Sequence, residues 1–408
     1  MRSSAVAVVA LVCAFLGGTG ALLVGKATGW VGGGTGTVVV RERANGAVPA
    51  ARIETGAQAK PLPGNDFDPA TIYRERAAGV VTVISLFGDH AASGRGEAAQ
   101  GSGFVVSDEG YILTNSHVIT DAGERTAGET PKPASQVYVE FRDGDRAEAK
   151  IVGWDLYDDV GVLKVAAGAR RLRPVPLGDS TSVVVGEPVA AIGSPFGQIN
   201  SLSVGVVAAT ERSIDSLTSR YSLVDAIQTD APINRGNSGG PLLDARGRAI
   251  GVNAQIRSES GTAEGVGFAV PINSAVRSME QLVRDGRVRY AWVGVSTRTI
   301  TPSLARLFGF GARRGAAIQS IVEGSPAEAA GLRAGREQKS FAGLLVTVGG
   351  DVVVAIDGDR VEDAEDVVRA VTRRLPGETA RFTVVRGARR LTVDVKLAER
   401  PANPPPVQ

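Results

Sequence analysis

Gln228-Thr229-Asp230-Ala231-Pro232-Ile233-Asn234-Arg235-Gly236-Asn237-Ser238-Gly239-Gly240-Pro241-Leu242 is the stretch on which the reading of this chain turns. Within it, Ser238 is flanked by glycines at a tight turn, which leaves its hydroxyl unobstructed. The glycines let the backbone aim the N–H groups of Gly236 and Ser238 at one point, where two donors would stabilise a developing oxyanion. A Gly-rich β-turn without chemistry has the same composition, so the reading depends on partners elsewhere. A serine hydroxyl is a weak nucleophile until a base takes its proton.

The chain has only two histidines, His90 and His117. His90 sits in the polar run Gly88–Gly94 and reads as a loop tip. His117 lies in Leu113-Thr114-Asn115-Ser116-His117-Val118-Ile119, where an apolar strand hands over to a loop. A neutral imidazole needs a carboxylate to hold its tautomer and stabilise the imidazolium. Asp155-Leu156-Tyr157-Asp158-Asp159-Val160-Gly161-Val162 supplies candidates at the mouth of an apolar run, and spacing leaves both Asp158 and Asp159 open. The chain order His, Asp, Ser is that of chymotrypsin-fold proteases.

Composition narrows the alternatives. With 408 residues, and about 150 per domain, two or three folded units are expected. Hydrophobic residues at 43% and charged residues at 22% exclude wholesale disorder. The 45 Lys+Arg nearly cancel the 43 Asp+Glu, so a nucleic-acid partner is not expected. Cys13 is the single cysteine, which excludes an internal disulfide framework and a Cys-based zinc site. With one Cys and two His no metal site is expected, no cofactor is expected, and no Gly-x4-Gly-Lys-Ser/Thr loop is present to hold a nucleotide.

Ser3 to Gly25 carries no charge between Arg2 and Lys26. As a helix it would span roughly 34 Å, enough for a bilayer. Residues 1–26 therefore read as a transmembrane anchor or a signal sequence. Residues 27–68 lack apolar periodicity and read as a flexible linker. From about Pro69 short β-branched runs recur (80–84, 104–106, 137–139, 183–185, 204–207, 249–252), predicting a sandwich or barrel over 69–285. A helix at 273–284 with Val276, Met279, Leu282 and Val283 on one face would close this unit. A second unit over 290–398 mixes strands at 315–321, 351–356, 380–385 and 391–397 with helices at 326–331 and 362–374. In the latter helix Ala364, Val367, Val368 and Val371 share one face. Residues 399–408 read as a disordered tail.

Together, the segments 114–118, 159–164 and 228–242 resemble the HtrA/DegP (Do-like) serine proteases over about residues 70–398. Ala291-Trp292-Val293-Gly294-Val295 resembles the carboxylate-binding loop of a PDZ domain, with 323–332 and 351–358 continuing that pattern. The resemblance implies a mainly β chain: a chymotrypsin-like double β-barrel, then one α+β PDZ domain. It implies His117 as base, Asp159 as its orienter and Ser238 as nucleophile, with Gly236 and Ser238 N–H as the oxyanion hole. Trp292, Val293, Gly294 and Val295 would bind C-terminal peptides.

Pro232 stands where trypsin-like sites carry an acid. Ala254 and Ile256 would line a small apolar pocket, so cleavage after small or medium aliphatic residues is expected. Asn237 stands where zymogen-activated relatives have Asp, so propeptide activation is not expected. Loops 209–222 and 255–265 would be the ones ordered on activation, and 336–348 reads as an insertion. The implied function is ATP-independent endoproteolysis of unfolded proteins outside the cytoplasm, by a homotrimer built near Ile72–Arg74 and held at a membrane. A chaperone or PDZ scaffold with minor proteolysis, or a site-specific signalling protease, are the alternatives.

Overall fold

The computed structural model describes residues 67–88, 97–122, 131–166, 168, 171–194, 200–216, 218–219, 221–234, 236–254 and 265–401. The uncharged N-terminal stretch, the linker up to residue 66, His90, Ile256 and the loop 255–264 lie outside the described residues. Among the described residues no helix is long and apolar enough to cross a membrane.

Twelve strands form two closed antiparallel barrels. The first holds β1 (Val80–Leu86), β2 (Ala98–Val105), β3 (Tyr111–Thr114), β4 (Gln136–Glu140), β5 (Arg146–Asp155) and β6 (Val160–Val165), in the order β1-β2-β3-β6-β5-β4. The second holds β7 (Pro188–Gly193), β8 (Ser201–Asp215), β9 (Ser222–Thr229), β10 (Pro241–Leu243), β11 (Ala249–Ala254) and β12 (Gly267–Pro271), and repeats that order. Side chains of successive strand residues point to opposite faces. Val81, Val83, Val105, Ile112 and Leu163 join a cluster confined to the first barrel. Their neighbours Val80, Phe104, Leu113 and Val162 join a larger cluster with Ile192, Leu243 and Val252 of the second. Both faces of these strands are buried, which explains runs such as Val80-Val81-Thr82-Val83 that do not alternate with polar residues.

Several expectations are corrected. Val183–Val185 form no strand. Val184 and Val185 are 59% and 61% exposed, in a turn closed by Glu187 N–H on the Val184 carbonyl with Gly186 at φ +93°. The expected loop 209–222 is mostly strand, since β8 runs to Asp215 and β9 starts at Ser222, paired across several register shifts. Buried Leu223 and Ala226 anchor that extension to the main core. The helix Ile272–Asp285 forms and ends at left-handed Gly286. It buries Ala275, Ser278 and Leu282 and leaves Val283 43% exposed, because Ser278 is drawn inward to donate to Asp155.

The C-terminal region builds a second core. Its strands are β13 (Ala291–Trp292), β14 (Val295–Ile300), β15 (Gly315–Ile321), β16 (Glu337–Phe341), β17 (Leu344–Val348), β18 (Val352–Ile356), β19 (Asp359–Arg360), β20 (Thr379–Arg386), β21 (Arg389–Lys396) and β22 (Ala398–Glu399). The main sheet runs β14-β15-β18-β20-β21, with β19 on β18. The helix Ala364–Thr372 starts on an Asp363/Asp366 capping box and buries Val367 and Val371. Val368 is 38% exposed, contrary to expectation, because only one side of the helix meets the sheet. A further helix, Pro302–Phe308, is capped by Thr301 and ended by Gly309. Residues 336–348, expected as an insertion, hold the hairpin β16–β17, pinned by Gln319, which accepts from Thr347 N–H at 2.8 Å and donates to its carbonyl at 3.2 Å. Asp351, fully buried, accepts from Arg386 at 2.6 and 2.7 Å. The tail expected from residue 399 is corrected for its first three residues: β22 pairs with β13, and Arg400 and Pro401 are packed against tyrosines, while 402–408 lie outside the described residues.

Candidate active site

The candidate residues sit where the two barrels meet. His117 lies on the one-turn helix Ser116–Ile119, which follows β3 directly. Asp159 lies in the tight turn from β5 to β6, at φ +51°. That conformation is uncommon outside glycine, though Asp tolerates it better than most residues. Ser238 lies in the loop between β9 and β10, on the second barrel.

The seam is tied by backbone and hydroxyl groups. Ser102 N–H donates to the Ser238 carbonyl at 2.8 Å, and Ser102 Oγ donates to the Gly236 carbonyl at 2.5 Å. Ser194 N–H donates to Ser102 Oγ at 2.9 Å, and Thr114 Oγ1 donates to the Ser102 carbonyl at 2.6 Å. Gly239 has φ +86°, and a Cβ there would meet the Ser102 carbonyl oxygen at 2.1 Å and Thr114 Oγ1 at 2.4 Å. The glycine is therefore required both by its dihedral and by the close approach of the first barrel. Gly236 has φ +101°, and among the described residues neither Gly236 N–H nor Ser238 N–H is engaged by another backbone group.

His117 Nδ1 lies 2.8 Å from Asp159 Oδ2. The other oxygen, Oδ1, accepts from Ser116 Oγ at 2.7 Å and from His117 N–H at 3.1 Å. Asn115 Nδ2 donates to the Asp159 carbonyl at 2.8 Å and fixes the turn from behind. The alternative left open by spacing is decided by geometry: Asp158 instead meets Arg277 at 3.1 Å. Burial alone would push the His117 imidazolium down, but the charge of Asp159 and its hydrogen bond outweigh it and hold the imidazole above its ordinary pKa. The Ser238 hydroxyl is buried and has no hydrogen-bond partner among the described residues. No hydrogen bond joins it to His117 there; in unliganded active sites such bonds are often long.

Other expected positions are placed as follows. Ala254 is 5% exposed, ends β11 and faces Phe268 of β12, so it offers little open surface. Trp292 pairs with Ala398 on β22. Val293 is buried, and its carbonyl accepts from Ala327 N–H at 2.9 Å. Gly294 has φ +81°, and a Cβ there would meet Ser325 Cβ at 2.3 Å. Val295 starts β14, a terminal strand of its sheet, whose Thr299 Oγ1 accepts from Ala364 N–H at 3.0 Å. The loop, a terminal strand of the sheet and the helix thus lie next to one another. Asn115, Ser116, Ser102 and Ser194 also serve the site. The first two flank His117 as polar residues ending an apolar strand, a signal that was available.

The trypsin-like peptidase domain family matches residues 101–252 and the PDZ domain family matches residues 292–397. A probable periplasmic serine endoprotease, DegP-like, from Brucella suis is 37% identical over 303 residues, 74% of this chain and 53% of that protein. A protein of the same description from Hahella chejuensis is 38% identical over 320 residues, 78% of this chain and 61% of its own length. The chain thus spans about half the length of the curated relatives it matches. A solved HtrA-type protease, AlgW with tripeptide, superposes with TM-score 0.66 at 32% identity, covering 83% of this chain and 98% of that one. These findings define a trypsin-like protease domain followed by a PDZ domain. The chain belongs to the HtrA family of serine proteases.

Proposed function

We propose that the chain is an ATP-independent serine endopeptidase that degrades unfolded or damaged proteins outside the cytoplasm. The observation that carries this is the 2.8 Å contact of His117 Nδ1 with Asp159 on the first barrel, together with the buried, unpartnered hydroxyl of Ser238 on the second, whose carbonyl is tied to the first barrel by Ser102 N–H. Asp159 holds the proton on Nδ1, which leaves the other ring nitrogen free to take the Ser238 proton as Oγ attacks the scissile carbonyl. The carbonyl oxygen becomes an oxyanion, for which Gly236 and Ser238 N–H are the donors. The imidazolium returns its proton to the leaving amine, and an acyl-enzyme forms. Water, deprotonated by the same imidazole, then releases the acid and restores Ser238.

A groove between β14 and the helix Ala364–Thr372 would take C-terminal peptides by strand addition, with amides of the Trp292–Val295 loop on the carboxylate. Pro232 in place of an acid supports cleavage after small or medium aliphatic residues, with Ile256 lining the pocket and Ala254, nearly closed off, contributing little to it. Residues 1–26 would hold the protein at a membrane. A homotrimer would form near residues 72–74; Ile72 is buried within the protomer, which leaves Tyr73 and Arg74 as its contacts.

Mass spectrometry of peptides released from unfolded casein by wild type and Ser238→Ala tests the catalytic reading and its preference together. Cleavage that persists in Ser238→Ala refutes it, whereas client protection without cleavage would add a chaperone role. Light scattering of the full chain reads the oligomer.

A further inference from the structure

Three tyrosines from distant parts of the chain close around one guanidinium. Arg400 Cζ lies 5.1 Å from the ring centre of Tyr157, 4.8 Å from that of Tyr221 and 5.0 Å from that of Tyr290. The rings pack edge to face, Tyr157 being 5.3 Å from Tyr221 and 5.1 Å from Tyr290. Arg400 Nε is buried and has no hydrogen-bond partner among the described residues, so ring faces hold this cation. The next residue, Pro401, accepts on its carbonyl from Tyr157 at 3.2 Å and from Tyr221 at 3.1 Å. Burial raises Tyr157 and pushes Tyr221 up to about 12, so both stay neutral donors.

Each ring belongs to a different element. Tyr157 lies in the β5–β6 turn, two residues before Asp159. Tyr221 closes the β8–β9 hairpin, where Thr218 Oγ1 also donates to the Leu156 carbonyl at 2.6 Å. Tyr290 precedes β13, and its hydroxyl donates to Asp155, the last residue of β5, which leads into the same turn. Asp159 itself holds a positive φ, a conformation that persists only when its surroundings fix it. We propose that Arg400 is a positioning residue for the Ser238 chemistry: by filling the cage of Tyr157, Tyr221 and Tyr290 it clamps the turn that presents Asp159 to His117. The inference rests on the proposed triad. The same strap pairs through β22 with β13, so one short piece of chain touches both the catalytic turn and the start of the Trp292–Val295 loop.

The test uses the full chain as wild type, Arg400→Ala, Arg400→Gln and Arg400→Lys, with casein hydrolysis, labelling by a fluorophosphonate probe and thermal unfolding. Losing the caged cation should cut kcat about tenfold with KM changed less than about twofold. Lys, which keeps the charge, should recover part of the loss. The acidic limb of the kcat/KM profile should move to lower pH in Ala and Gln, because a loosened Asp159 supports the imidazolium less; a purely structural role would not move it. Wild type that labels and cleaves, with kcat unchanged or raised in Ala and Gln, overturns the clamp and leaves the triad intact. Wild type that neither labels nor cleaves overturns both. If Arg400→Ala does not fold, Tyr221→Phe, which removes only the hydroxyl bonded to Pro401, should still lower kcat about two- to threefold; an unchanged kcat there refutes the proposal.

Discussion

Replacing Asp159 by Asn isolates the charge and acceptor geometry of one atom. Asn tolerates the left-handed backbone as well as Asp does, so φ +51° at this position is retained. Its amide oxygen can still accept from Ser116 Oγ and His117 N–H, as Oδ1 does at 2.7 and 3.1 Å. The amide NH2 then takes the place of Oδ2 and faces His117 Nδ1. Two donors cannot share that 2.8 Å contact, so Nδ1 must become the acceptor and the ring proton moves to the nitrogen that should receive the Ser238 proton. A wrong tautomer of this kind lowers kcat by about 10⁴-fold, or ~5 kcal/mol in the barrier. Steady-state hydrolysis of casein and the rate of fluorophosphonate labelling should fall together, with thermal unfolding little changed. Wild-type His117, held above its ordinary pKa, should set the acidic limb of the profile. Residual activity in Asp159→Asn should show that limb at lower pH. A folded Asp159→Asn protein within tenfold of wild type would refute the reasoning.

Three shorter predictions follow from other parts of the structure. Gly239→Ala should lose about 3 kcal/mol or more in urea unfolding, because its Cβ would strike the Ser102 carbonyl oxygen at 2.1 Å at a positive φ; a loss under about 1 kcal/mol would show that the seam can yield. Asp155 is pushed up to about 6 by burial and by the charge of Asp158. Its folded pKa exceeds its unfolded one, so its contribution is full below about pH 4 and is lost as pH rises through about 6. Between pH 5 and 7.5 it should remove about 1.4 kcal/mol of stability, a slope that Asp155→Asn should lack in urea titrations at the two pH values. Asp351→Ala leaves Arg386 without its buried partner and should cost about 3–5 kcal/mol, read by urea unfolding of the full chain.

The sequence carried the local signals well and the long-range partners poorly. Ser238 among glycines and His117 at the end of an apolar strand are local patterns, each imposed by what its turn must do. Asp158 and Asp159 are neighbours with the same chemistry. What separates them is a positive φ that aims one carboxylate at His117, and an arginine 119 residues away that takes the other. No period reveals either. Val283 and Val368 show a related limit: helical spacing gives the apolar stripe, but its edge is set by what packs against it, including the polar pull of Asp155 on Ser278. Tyr157, Tyr221 and Tyr290 are scattered singly, and nothing in their surroundings announces that they share one cation. The polar residues of 209–222 read as loop because their strand pairs with a neighbour through repeated register shifts, which erase alternation.

Closure of both barrels has a consequence for how they meet extended chains. A sheet that returns on itself leaves no unpaired row of amides along its rim, so sticky extended chains find no template there on which to grow. Backbone recruitment in these two sheets is thereby avoided and left to places where strands end a sheet.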